Sequence, residues 1–333
     1  MANCTVTSHE EIKKTVANLL SRKKTDGGIK SIYFVACGGS KAGLNPGAYF
    51  LQHESSNLIV DNITANEFVH DVPRNVGKNT IVVTMSQMGN TKETVAAAEL
   101  AKKKGAASIT ISVRNDVPIA KFSDAHLLYD EDLYTDVLNG CMVLTLRLGI
   151  ELLNQIEGYK NYDLALESFE KLGMITEKAV EMVSERAREF AEECKAEPVI
   201  YTMGSGPSHY AAYMNCICLL MEMEWIHSNC IHSGEFFHGP FEITDMRTPF
   251  IVFENEGKTR VLDDRAIKFL KTYGKKIYII DSKEFGINII DDAVIDYFNG
   301  PLLWSVSLVY MKELAAAKRH PLMMRRYMYK VEY

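Results

Sequence analysis

The sequence predicts an α/β protein of two tandem domains, each a mainly parallel sheet with helices on both faces, and three observations carry that reading. Apolar strand-like runs alternate with helical runs of ten or more residues. The early strand runs end in turns rich in glycine and serine, CGGS and SQMGN. Landmarks of the first half return in the same order in the second, Gly38 at Gly204, Gly89 at Gly257, Asp124 at Asp292 and Tyr129 at Tyr297, offset by about half the chain. The chain is 333 residues long, room for two sizeable cores. We place a first domain at 1–160 and a second at 161–333.

From the N-terminus, a charged helical segment spans His9 to Lys24, followed by the strand run Ile32–Ala36, the glycine loop Gly38-Gly39-Ser40 and a helix. The strand Thr80–Met85 leads through Ser86-Gln87-Met88-Gly89-Asn90 into a helix from Thr91 to Lys104, with Asn90 and Glu93 spaced as a capping box. A further strand, Ser108–Val113, precedes charge-rich helical sequence from about Tyr134 to Glu193. Pro198–Met221 is free of Asp, Glu, Lys and Arg but carries Gly204, Ser205, Gly206, Pro207, His209 and Asn215. It therefore reads as a strand, a loop and a buried helix, not a membrane span.

Composition narrows the function. At 47% hydrophobic and 24% charged the chain is globular, neither disordered nor collagen-like. A formal net charge of -6 disfavours nucleic acid as a partner, so any anion must be held locally. The seven cysteines form no C-x-x-C pair, which suggests neither a disulfide framework nor a zinc site. Cys216 and Cys218 read as small core residues. No basic cluster and apolar run resembling a signal peptide opens the sequence, and a cytoplasmic location without membrane association is expected.

Two clusters offer chemistry. The loop Ser86–Thr91 supplies hydroxyls, an amide and a glycine at the start of a helix, where N–H groups and the dipole attract anions. A polar turn with no ligand is the alternative. The matching loop of the second half, Glu254-Asn255-Glu256-Gly257-Lys258-Thr259, has two carboxylates that would repel phosphate, which leaves the anion site to the first half. Ser40, after Gly39, adds a hydroxyl at a neighbouring strand end. The second cluster is EMEWIHSNCIHSGEFFHGPF, Glu222 to Phe241. Glu222 follows an apolar helix, and at such a helix C-terminus its pKa should rise, as suits a general base; a carboxylate facing water is the alternative. His238 precedes Gly239-Pro240, which enforces a loop at a surface or crevice. His227 and His232 are weaker candidates, and no spacing of ligands marks a metal site. Trp225, Phe236 and Phe237 suit core packing, with shaping of a substrate pocket as the alternative. The basic, aromatic ending from Lys318 to Tyr333, rich in tyrosine, reads as a docked tail that folds over an anionic substrate, with a solvated terminus as the alternative.

The stretches YFVACGGS, SQMGNTKET and SGEFFHGP resemble motifs of the sugar isomerase (SIS) domain family, and the paired halves resemble the isomerase half of glucosamine-6-phosphate synthase. MEMEWIHSNCIHSGEFFHGPFEITD and HPLMMRRYMYKVEY are most similar to fructosamine 6-phosphate deglycases, closest to those acting on fructose-asparagine 6-phosphate. The resemblance implies two SIS domains and a phosphate site built from Gly39, Ser40, Ser86, Gln87, Gly89, Asn90 and Thr91. It also implies Glu222 as base, His238 as the ring-opening acid–base group, a homodimer with shared active sites, and no metal or organic cofactor. The expected substrate is a fructosyl amino acid 6-phosphate. Two departures from the synthase stand out: Met88 replaces a serine, and Leu219 replaces a lysine three residues before the base. With no amidotransferase domain, glutamine-dependent synthesis is not expected. An aldose–ketose isomerase shares this site, and a phosphosugar sensor shares its fold. A regulator would carry a helix-turn-helix, for which residues 1–30 are too short and too little basic.

Overall fold

The apolar runs form the interiors of two parallel sheets. The computed structural model describes residues 5–23, 27–130 and 136–332 and divides into two units, Met1–Leu166 and Glu167–Tyr333. In the first, α1 (His9–Lys23) precedes β1 (Ser31–Ala36), α2 (Gly38–Glu54), β2 (Ile59–Thr64), α3 (Ala65–His70) and β3 (Thr80–Met85); α4 (Lys92–Lys103), β4 (Ala107–Ser112), β5 (Ala125–Leu128) and α5 (Cys141–Ile156) follow. The strands pair in parallel in the order β2-β1-β3-β4-β5. β1, β3 and β4 are buried along their whole length, so they read as unbroken runs, not as alternation. Edge strand β2 is partly exposed and carries Asp61 and Asn62, so no such run marks it in the sequence.

The pleat sends successive residues to opposite faces. Tyr33, Val35 and Val82 pack on Phe68 of α3 and on Ala97 and Ala101 of α4. On the other face α2 crosses α5 with almost no space between backbones: a Cβ on Gly47 would stand 2.3 Å from the Thr145 carbonyl oxygen, and one on Gly149 3.0 Å from the Gly47 backbone. The Thr145 hydroxyl donates to the Gly43 carbonyl across the same contact at 2.7 Å. Gly47→Ala is therefore expected to push the helices apart and cost about 2 kcal/mol, a fall of several degrees in Tm readable by calorimetry.

Three local expectations are corrected. Gly38-Gly39-Ser40 is not a loop; α2 begins at Gly38, whose φ of +56° needs glycine to turn straight out of β1. Asn90 and Glu93 make no capping box: Thr91 precedes α4 as its cap residue, and no side chain caps the helix. The 134–193 region is not uniformly charge-rich, since α5 is apolar and buried, and charge resides on α6 (Tyr162–Met182) and α7 (Ser184–Cys194). Tyr134 lies outside the described residues, and the boundary between the units falls within α6.

The second unit contains β6 (Tyr201–Gly204), α8 (His209–Met214), β7 (Cys230–His232), β8 (Phe250–Glu254), α9 (Arg260–Tyr273), β9 (Ile277–Asp281) and α10 (Asn299–Lys318). Its parallel order, β7-β6-β8-β9, repeats the first unit strand for strand until the fifth position. There Asp292–Phe298 forms turns that run into α10. Met203, Phe250 and Val252 pack with Phe236 and with Ala266, Ile267 and Leu270 of α9. The charge-free segment becomes β6, a tight turn, α8 and its continuation; no described helix is long and apolar enough to cross a membrane.

Candidate active site

In the first unit β1 and β3 are neighbours, and the chain leaves them in opposite directions along the sheet, towards β2 and towards β4. Helices α2 and α4 start at the carboxyl ends of these two strands, the place where open parallel sheets bind ligands. Ser86, buried at the end of β3, accepts the Thr91 N–H at 3.3 Å and lies 2.9 Å from the Thr91 hydroxyl. Gly89 bends the loop with φ +67°, and a Cβ there would strike Val117 at 2.4 Å. Its N–H donates to the Ser86 carbonyl and its carbonyl accepts from Ile119, at 2.9 and 3.0 Å. Gln87 and Asn90 project into solvent, while Gly39 and Ser40 open α2 half-buried. Neither α2 nor α4 has a side-chain cap, so both present uncapped N-termini at adjacent strand ends, the arrangement that binds anions.

The corresponding place in the second unit is already filled by the protein's own carboxylates. Asp296 accepts the Lys258 N–H at 3.0 Å, and a Cβ on Gly257 would lie 2.1 Å from its Oδ1. Leu128 stands at the matching position in the first unit. Arg260 gathers Glu254, Glu256 and Asp281 at 2.8, 3.0 and 2.7 Å. Two related loops thus differ as their sequences differ: one is closed by an internal anion, the other carries hydroxyls.

The second unit places Glu222 in a π-helical segment, Asn215–Met223, that continues α8. Such wide turns shift the register of side chains and occur often at functional sites. The Glu222 side chain is a quarter exposed and pairs with Arg325 Nε at 2.8 Å. Burial pushes its carboxyl above the ordinary range, and the guanidinium partly offsets this. His238 is exposed in the turn after β7, its N–H donating to the Glu235 carbonyl at 2.9 Å. Gly239, at φ +129°, and Pro240 end the turn. Phe236 anchors it in the core, and Phe237 packs on Phe241 and Phe269. Among the described residues no hydrogen bond joins Glu222 to His238, and His232 is engaged locally as acceptor from the Gly234 N–H.

The sequence reading missed how the ending docks. Burial of its tyrosines does not hold it, since Tyr327 and Tyr329 are 64% and 80% exposed, and Tyr333 lies outside the described residues; cations meet the preceding segment instead. Trp225, with φ +56° and partly exposed, is no core residue; His320 meets its ring edge-on and Arg326 lies over its face at 4.3 Å. Lys318 donates to the Glu224 carbonyl at 2.6 Å and stands 3.6 Å from its buried carboxylate. Burial pushes that carboxylate up to about 7 against the pull of Lys318. Cys218 is only half-buried, whereas Cys216 sits in the core as expected.

Comparison with known proteins agrees with this architecture. Residues 28–146 match the SIS domain family. The chain is 38% identical over 333 residues, the full length of both proteins, to the fructosamine deglycase FrlB of Bacillus subtilis. It is 29% identical over 256 residues to the fructoselysine 6-phosphate deglycase of Escherichia coli K12, covering 77% of this chain and 74% of that one. A solved structure from Salmonella typhimurium LT2, described as a candidate phosphosugar isomerase, superposes with a TM-score of 0.93 at 44% identity, over 98% of this chain and 99% of that one. The chain belongs to the SIS-domain family, in its fructosamine deglycase branch.

Proposed function

We propose that the protein is a deglycase that cleaves a fructosyl amino acid 6-phosphate, an Amadori compound such as fructose-asparagine 6-phosphate, to glucose 6-phosphate and the free amino acid. The full-length match to a fructosamine deglycase carries this reading, and the residues supply its chemistry. The second unit is read as a second SIS domain because its sheet repeats the strand order of the first. We further propose a cytoplasmic homodimer with shared active sites.

In this reading the loop Ser86, Gln87, Gly89, Asn90 and Thr91, with Gly39 and Ser40, grips the phosphate. Remote binding energy is thereby used to position the reacting carbons. His238 transfers a proton to the ring oxygen as the sugar opens to its keto form. Glu222 removes a proton from C1, and the electrons shift to give a 1,2-enolamine. Return of a proton to C2 leaves an imine between C1 and the amino acid nitrogen. Water adds to that imine, and the C1–N bond breaks to release the amine and the aldehyde of glucose 6-phosphate. The proton transfers suit a carboxylate whose pKa burial has raised above the ordinary range.

The test is glucose 6-phosphate release from a panel of fructosyl amino acid 6-phosphates, with fructose 6-phosphate as control. Release from one adduct is expected and identifies its amino acid. Turnover of fructose 6-phosphate alone would make the protein an isomerase, and silence across the panel would favour a sensor.

A further inference from the structure

Glu222 is not alone: a residue more than a hundred positions later in the chain reaches back to it. The Arg325 side chain is only 10% exposed and sets Nε 2.8 Å from the Glu222 carboxylate. Its Nη1 donates to the carbonyls of Leu322 and Met324 at 2.7 and 3.1 Å, which fixes the guanidinium on the tail's own backbone. The tail is pinned on both sides of it. Before Arg325, Lys318 bonds Glu224 and His320 packs on Trp225; after it, Arg326 covers the Trp225 ring.

We propose that Arg325 is a positioning residue for Glu222: docking of the C-terminal tail delivers the guanidinium that aims the base and keeps it charged. The proposal rests on the reading of Glu222 as the proton-abstracting group. Other charges nearby are committed elsewhere. Lys318 pairs with Glu224, while His320 and Arg326 face Trp225. Among the described residues Arg325 is thus the cation paired with Glu222, and it opposes the upward pull of burial on the carboxyl. Anchored on the tail's backbone through Nη1, the guanidinium keeps its charge in one place beside the carboxylate, which an ammonium on a flexible stem does less well.

The test compares wild type, Arg325→Met and Arg325→Lys for the pH dependence of glucose 6-phosphate release. The Glu222 carboxyl is also titrated without substrate, from the infrared difference between each protein and its Glu222→Gln counterpart. Methionine keeps most of the apolar stem and removes the charge, and thermal melts confirm that each variant folds. Arg325→Met is expected to move the acid limb and the carboxyl titration upward together by about one pH unit, with KM changed less than kcat. Arg325→Lys is expected to recover part of the shift. Limb and titration both unchanged in Arg325→Met would overturn the proposal, even if the rate fell, because removing a cation that keeps the carboxylate ionised must raise its titration. If Glu222→Gln kept full turnover, the base assignment would fail, and the substrate-free titration would still decide whether Arg325 holds Glu222 charged.

Discussion

Glu222→Gln is expected to lower release of glucose 6-phosphate by roughly a thousandfold, the scale of losing a positioned general base, while binding of a non-reacting hexitol 6-phosphate stays within a few-fold of wild type. The amide is nearly isosteric with the carboxylate but cannot take the C1 proton. Arg325 then faces a neutral group at the site of its 2.8 Å ion pair, a cost to local order more than to the fold. Because burial raises Glu222 above the ordinary carboxylate range, the sign of the pH dependence follows. The base must be ionised, so wild-type activity should decline on the acid side at a pH above that of an exposed glutamate. Titration calorimetry with the hexitol phosphate and a pH–rate profile check the two halves. Wild-type turnover in the amide variant would remove Glu222 from the mechanism, whereas joint loss of binding and turnover would show that the substitution had disturbed more than the base.

The sequence made the central strands legible because burial on both faces forces apolar, β-branched runs, as in Ile32–Ala36 and Thr80–Met85. It hid β2, whose edge position leaves Asp61 and Asn62 in the strand. Glycine misled at Gly38, where positive φ starts a helix without a loop. At Gly89 it is the close approach of Val117 that demands glycine, a contact the sequence does not show. At the candidate site the types of residue were visible but their partners were not. Glu222 and Arg325 lie far apart in sequence, and only the docked tail shows which cation meets which carboxylate. The tyrosines of the ending suggested that aromatic burial holds it; the contacts that do so are an arginine over Trp225 and a lysine at Glu224, pairings that composition does not specify.

A carboxylate placed in the first unit's loop should abolish the affinity that the loop provides, and the second unit indicates where to put it. Met88 corresponds to Glu256, which lies 3.0 Å from Arg260 in a loop already closed by Asp296. Met88→Glu would import that charge without the arginine, since Lys92 stands at the position of Arg260 and its side chain is exposed. A carboxylate about 5 Å from a phosphate opposes it by about 3 kcal/mol per pair of unit charges at an effective dielectric of about 20. Screening at this exposed loop reduces that figure, while the phosphate's charge of nearly two restores part of it. The expected result is a rise in KM of about a hundredfold with a much smaller change in kcat, because the charge acts on binding and not on the proton transfers. Met88→Gln, neutral and of similar length, should remain within a few-fold of wild type. Added salt should narrow the gap between the two variants, as an electrostatic cause requires. A hundredfold loss in both variants would point to loop packing instead, and an unchanged KM in Met88→Glu would mean that the phosphate is held elsewhere.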